Sequence, residues 1–292
     1  MTNDITHVGV LGCGLMGSGI AEVAARAGVD VVVVESDDDA LTRGRRRLTT
    51  SLDRAVGANR LSERERDLAL GRMIFATDWE AFTDCHLVVE AVPEVMDLKL
   101  EAMATIDRIV KDPEAILASN TSSIPIMRLA SVTERPEQVL GLHFFNPVPV
   151  LRLVEVVSCL LTGQETLTSA VSFAEEVLNK RVIRSQDRAG FIVNALLVPY
   201  LLSAIRMLES GFATADDIDI GMVEGCAHPM GPLRLADLVG LDTLLHVANS
   251  LYEEFKEPLY APPPMLLRMV EAGLLGRKSG RGFFEYTGQR SA

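Results

Sequence analysis

Short β-branched runs at residues 7–11, 31–34, 87–89, 115–118, 139–142 and 153–157 alternate with stretches whose apolar positions recur at helical spacing. This alternation predicts an α/β, Rossmann-like, doubly wound sheet that is largely parallel. Residues 97–110 show the helical logic: Leu98, Ala102, Ile106 and Ile109 form one apolar stripe, Asp97 is placed to cap the start, and Asp112-Pro113 ends the run. Beyond Gly190 the strand signal stops. Helices are predicted at 191–208, 215–223, 232–252 and 264–272, punctuated by Gly211, Gly225, Gly231, Pro258 and the prolines at 262–264. The predicted organisation is a dinucleotide-binding domain over 1–187, with a helical insertion at about 40–72, and a C-terminal all-helical domain for substrate binding and dimerisation over 188–292. The first helix of that second domain is apolar on nearly every face, which predicts burial on several sides and a homodimer through this domain.

Composition narrows the classes of function. With 292 residues, 48% hydrophobic, the chain is long enough for two cores. Its 28 Lys and Arg against 40 Asp and Glu give a net charge of −12, which opposes general nucleic-acid binding. The greasiest stretch, 191–205, is shorter than the roughly 20 residues of a membrane span and holds Asn194 and Pro199, so no membrane anchor is expected. Cys13, Cys85, Cys159 and Cys226 show no metal-ligand spacing, no secretory signal is evident, and a cytoplasmic location is expected.

Gly12-Cys13-Gly14-Leu15-Met16-Gly17 is a GxGxxG turn directly after an apolar strand and before a helical stretch ending near Gly28. Gly12 suits the tight turn, Gly14 the approach of a pyrophosphate, and Gly17 close packing of helix on strand. A second strand at 31–34 is followed by Glu35, about 20 residues on from the turn, where a carboxylate accepts a hydrogen bond from an adenosine ribose 2′-hydroxyl and repels a 2′-phosphate. The expected cofactor is NAD rather than NADP.

Hydride chemistry on an alcohol needs a base for the hydroxyl proton. Of five histidines, His143 stands at a strand end, where ligand crevices form in such sheets, and Glu155 interrupts the apolar strand that follows. A carboxylate that orients an imidazole and stabilises its protonated form would suit catalysis. The residues alone equally allow a satisfied core histidine and a half-exposed edge glutamate. Residues 119–123, Ser-Asn-Thr-Ser-Ser, lie at another strand end and supply hydroxyls and an amide, or simply a helix cap.

Taken together, residues 12–21, VVEAVPE at 88–94, SNTSS at 119–123, HFFNPVPVLRLVEVV at 143–157, GFIVN at 190–194, HPMGP at 228–232 and GRKSGRGFFEY at 276–286 resemble the 3-hydroxyacyl-CoA dehydrogenase family, in the family's order. The resemblance implies NAD-dependent, reversible oxidation of an (S)-3-hydroxyacyl-CoA, of short chain such as 3-hydroxybutyryl-CoA, to the 3-ketoacyl-CoA in fatty-acid or butanoate metabolism. It implies that His143 is the general base, Glu155 its paired acid, and Ser122 and Asn194 the residues that hold the substrate near the nicotinamide. Glu94, Lys99, Ser122, Asn146 and Lys278 match positions that contact NAD, beside Glu35 and the glycine turn from Gly12 through Cys13, Gly14, Leu15 and Met16 to Gly17. Ser51 matches a position that contacts CoA. No metal is implied.

One departure stands out: Ala58 falls near a position where relatives carry a CoA-binding lysine. Arg43, Arg45, Arg46, Arg47 and Arg60 are candidates to take over that role, although a charge run is also what a solvated helix face looks like. Three further readings stay open, of which a lysine-dependent β-hydroxyacid dehydrogenase, with catalysis centred on a helical lysine, fits the His-Phe-Phe-Asn-Pro segment at 143–147 least. Gulonate- and carnitine-type dehydrogenases share the fold and the His/Glu pair without using CoA, and crystallin-like relatives bind NAD without catalysis.

Overall fold

Valines and leucines of the six apolar runs build the middle of one eight-stranded sheet. The structure, a computed structural model, describes residues 5–286. The strands are β1 (His7–Leu11), β2 (Asp30–Val34), β3 (Met73–Ala76), β4 (Leu87–Glu90), β5 (Ile116–Ser119), β6 (Val139–Phe144), β7 (Leu153–Ser158) and β8 (Arg181–Gln186), in the order β3-β2-β1-β4-β5-β6-β7-β8. Every neighbouring pair is parallel except β6 with β7. β3 and β8, which the apolar pattern does not predict, are the two edge strands. Both are only partly buried: β8, Arg-Val-Ile-Arg-Ser-Gln, lacks the continuous apolar run of a strand covered on both faces, and β3, Met-Ile-Phe-Ala, is an apolar run of four residues that follows the charged helical insertion.

Helices α1 (Leu15–Arg26), α2 (Asp38–Gly57), α3 (Glu63–Gly71), α4 (Met96–Ile109), α5 (Ile126–Ala130) and α6 (Gln164–Ser172) complete this unit. In α1, Ile20, Ala21, Ala24 and Ala25 are buried in the main core with Val8, Val10, Val31 and Val33. The charged helix α2 is held by a narrow stripe, Gly44, Leu48 and Leu52, at four-residue spacing, and Asp37 caps its start by accepting from the Ala40 N–H at 2.7 Å. Full burial of the two leucines contributes about 1.5–3 kcal/mol each. α3 opens on a capping box between Ser62 and Glu65. The α4 start is one residue earlier than expected: Val95 is the N-cap, and Asp97 lies inside the first turn, where its charge favours the helix dipole without capping.

The chain divides into two compact units after Arg188. In the second, α7 (Val193–Glu209), α8 (Ala215–Cys226), α9 (Pro232–Val239), α10 (Leu241–Phe255) and α11 (Pro264–Glu271) pack around Leu201, Leu202, Ile205, Leu233, Leu244, Leu251 and Leu266. The single helix expected over 232–252 is two helices, because Gly240 adopts φ +100°, outside helical geometry. Asp237, 1% exposed, ties down the C-terminal motif by accepting from the N–H groups of Phe283 and Phe284 and from the Tyr286 hydroxyl, each at 3.0 Å. No described helix is long and apolar enough to cross a membrane.

Candidate active site

Five chain segments meet the carboxyl edge of the sheet: the glycine turn after β1, Glu35 after β2, residues 91–94 after β4, residues 120–123 after β5, and the last residues of β6. In a doubly wound sheet this edge is where a ligand crevice opens.

At the glycine turn, Gly12 adopts φ +89° and its N–H donates to the Val34 carbonyl at 2.8 Å. A Cβ there would lie 2.9 Å from the Ala91 carbonyl oxygen, and one on Gly17 would collide with the Gly12 carbonyl. Gly14, the N-cap of α1, has no atom within 4 Å of where a Cβ would stand, which leaves space in front of the helix N-terminus. Unsatisfied first-turn N–H groups and the helix dipole make that space suitable for a pyrophosphate. Cys13 is buried, Leu15 is exposed, and partly buried Met16 packs against the core. Glu35 stands beside the turn, accepting from the Cys13 N–H at 2.5 Å and the Ser36 N–H at 3.2 Å. A helix N-terminus with open space before it and a carboxylate beside it fit a dinucleotide with an unmodified ribose.

The serine-rich loop after β5 is built on a buried charge network. The Lys99 side chain on α4 is only 2% exposed; its Nζ lies 2.9 Å from both Glu90 carboxylate oxygens and 3.3 Å from Glu94, and donates to the Val92 carbonyl at 3.2 Å. Ser119 donates its hydroxyl to Glu90 and accepts from the Thr121 N–H. Glu94 then accepts from the Thr121 hydroxyl, the backbone N–H groups of Ser122 and Ser123, and the Ser123 hydroxyl. Burial pushes the Glu94 carboxyl up, but the Lys99 charge and these hydrogen bonds outweigh it and hold Glu94 below the usual carboxylate range. Lys99, which the family resemblance places among the NAD-contacting positions, has its ammonium enclosed by carboxylates and a carbonyl that tie it to the Ser122 loop. Glu90, which fixes that ammonium, was not among the expected site residues. Its sequence signals are a carboxylate closing an apolar strand and its place inside the VVEAVPE motif at 88–94.

His143 and Glu155 face each other in the antiparallel pairing of β6 with β7. Their side chains project from the same face of the sheet, and His143 Nδ1 lies 2.7 Å from Glu155 Oε2. Glu155 is fully buried and His143 is 6% exposed. The Phe145 ring packs 4.6 Å from the imidazole. Asn120 links this end of β6 to the serine-rich loop, its side-chain oxygen accepting from the Phe144 N–H at 2.9 Å. The structure therefore brings Ser122, Glu94, Lys99, His143 and Glu155 into one connected framework. Asn146 is exposed just beyond β6, and Ser51 is half-buried on α2.

Asn194 and Lys278 belong to the second unit. Asn194 is half-buried in the first turn of α7, and Lys278 Nζ pairs with Asp242 at 2.5 Å. Burial raises the Asp242 carboxyl, but the Lys278 hydrogen bond and charge outweigh it and hold Asp242 low.

This sheet, with its glycine turn, defines an NAD-binding oxidoreductase. Comparison with known proteins makes the class specific: the 3-hydroxyacyl-CoA dehydrogenase NAD-binding domain matches residues 7–188 and the C-terminal domain of the same family matches 190–286. The chain belongs to the 3-hydroxyacyl-CoA dehydrogenase family and is an NAD-dependent oxidoreductase. It is 60% identical over 286 residues to a 3-hydroxybutyryl-CoA dehydrogenase of Mycobacterium tuberculosis, covering 98% of this chain and 100% of that protein. It is 40% identical to the human mitochondrial hydroxyacyl-coenzyme A dehydrogenase, covering 97% of this chain and 91% of that one. The crystal structure of an (S)-3-hydroxybutyryl-CoA dehydrogenase from Ralstonia eutropha superposes with a TM-score of 0.92 at 42% identity, covering 97% of this chain and all of that one.

Proposed function

We propose that this enzyme oxidises a short-chain (S)-3-hydroxyacyl-CoA, 3-hydroxybutyryl-CoA first among them, and that His143 is its general base. The observation that carries the assignment of the base is the buried His143–Glu155 pair at the carboxyl edge of the sheet, 2.7 Å apart. The chain length follows the relatives named 3-hydroxybutyryl-CoA dehydrogenase.

NAD, when bound, supplies the hydride acceptor. With Nδ1 engaged by Glu155, His143 uses Nε2 to take the C3 hydroxyl proton as the C3–H bond breaks and the C–O bond becomes a carbonyl. Glu155 stabilises the imidazolium and holds the ring orientation. Ser122, on a loop fixed by Glu94, and Asn194 position the reacting oxygen and the acyl chain. In the reverse direction His143 returns the proton to the forming alkoxide.

We further assign the second unit to pairing with a second copy of the chain. Leu196, Phe212 and Ile220 present 72%, 79% and 58% of their surface, an amount of exposed apolar side chain that a partner would cover. All four cysteines are unpaired, which suits a reducing cytoplasm.

NADH oxidation with acetoacetyl-CoA, run beside NADPH and beside gulonate and carnitine with NAD, tests the reaction. Turnover that needs both NADH and the CoA ester supports it, whereas NAD-linked oxidation of gulonate or carnitine alone overturns the substrate. Sedimentation velocity tests the dimer, and a monomer at micromolar concentration overturns that part.

A further inference from the structure

Two consecutive peptide units surround Cys13 in the glycine turn, and the glycines on either side make both of them cheap to rotate. Each unit is held from outside by one charged side chain. The Gly12–Cys13 unit is held through its N–H, which donates to Glu35 Oε1 at 2.5 Å. The Cys13–Gly14 unit is held through its carbonyl oxygen, which accepts from Arg47 Nη1 at 2.8 Å. Because a trans peptide is planar, fixing that carbonyl also fixes the Gly14 N–H on the opposite side of the same plane, in the turn where the pyrophosphate is expected.

The approach of Arg47 is built into α2. Gly44, one helical turn earlier on the same face, is buried against the glycine turn, and a Cβ on it would stand 2.5 Å from Cys13 Cβ and 2.8 Å from Cys13 Sγ. A side chain at position 44 would therefore hold α2 away and withdraw the guanidinium. The ionisation of Cys13 reports both neighbours: burial first, and then the Glu35 charge, push the thiol up to about 12, while Arg47 pulls it down.

We propose that Arg47 is a positioning residue for NAD, acting through the Cys13–Gly14 peptide of the glycine turn rather than on the CoA phosphates. The arginine cluster on α2 is then divided in task, with Arg47 committed to the cofactor side. The proposal rests on NAD binding at this turn.

Calorimetric titration of the full-length protein with NAD, and separately with acetoacetyl-CoA, tests it in wild type, Arg47→Met and Arg47→Lys, beside unfolding temperatures without ligand. Loss of a charge-assisted hydrogen bond at a partly solvated position predicts NAD binding weakened about three- to tenfold in Arg47→Met. Acetoacetyl-CoA affinity and the ligand-free unfolding temperature stay as in wild type. Arg47→Lys, which keeps a cationic donor, recovers part of the NAD affinity. Unchanged NAD affinity in Arg47→Met overturns the proposal. So does weakened acetoacetyl-CoA binding in its place, a matching fall in stability and both affinities, or a Lys variant no better than Met. A wild-type protein that binds no NAD overturns the underlying assignment instead, and the proposal with it.

Discussion

His143 and Glu155 oppose each other across the one antiparallel junction of an otherwise parallel sheet, and their side chains meet at 2.7 Å. The junction explains the pairing. An antiparallel β7 starts at the edge where β6 ends, so a residue near the beginning of one strand meets a residue near the end of the other. Replacement of His143 by Ala is expected to lower turnover by about 10² to 10⁴-fold with NAD affinity retained. Steady-state kinetics and calorimetric NAD titration check it together. Loss of NAD binding in parallel with turnover would make the histidine structural.

Lys99 is the keystone of the loop that carries Ser122. Lys99→Met removes the cation from the buried Glu90 carboxylate and the half-buried Glu94 one, and breaking a buried pair from one side typically costs about 3–5 kcal/mol. Urea unfolding should show a loss of that order. A double variant, Lys99→Met with Glu90→Gln, leaves less uncompensated charge and should recover part of the stability. A single variant as stable as wild type would mean that the pair contributes nothing.

The depressed Glu94 carboxyl gives stability a pH dependence. Its folded-state pKa lies below the ordinary value of 4.5, so its contribution is fully present above pH 4.5 and is lost as the pH falls through the folded value. Glu94→Gln should therefore unfold at a lower temperature than wild type at pH 7, and the gap should narrow as the pH falls below 4.5. Thermal unfolding across that range checks it, and a gap independent of pH would assign the effect to packing.

In the second unit, Asp237 receives three donors from the C-terminal motif. Asp237→Ala leaves them without their acceptor and is expected to cost about 1–3 kcal/mol. Tyr286→Phe removes one donor and should cost less. Hydrogen exchange at Phe283 and Phe284 would show whether the loss is local, and unchanged protection in the Ala variant would contradict the anchoring role.

The central strands, the glycine turn and Glu35 were legible in the amino-acid sequence because each obeys a local rule. A strand buried on both faces is a continuous apolar run, and a turn that approaches a helix N-terminus needs glycine at fixed spacing. The edge strands β3 and β8 and the break at Gly240 were not. The half-exposed β8 lacks the run, the four apolar residues of β3 are too few to separate a strand from the end of the preceding helical stretch, and a lone glycine inside a helical pattern does not show whether the chain bends there. His143 and Glu155 were visible as candidates, but their partnership depends on the register of two strands. Lys99 shows the limit most directly. On an amphipathic helix a lysine looks like a solvent or ligand contact, and only the tertiary structure sets it against Glu90 and Glu94. Periodicity records which face of an element is covered. The identity of the charge that lies across from a residue is decided by how separate elements pack, because in the low-dielectric interior a lysine is tolerated only where the fold delivers its counter-charge.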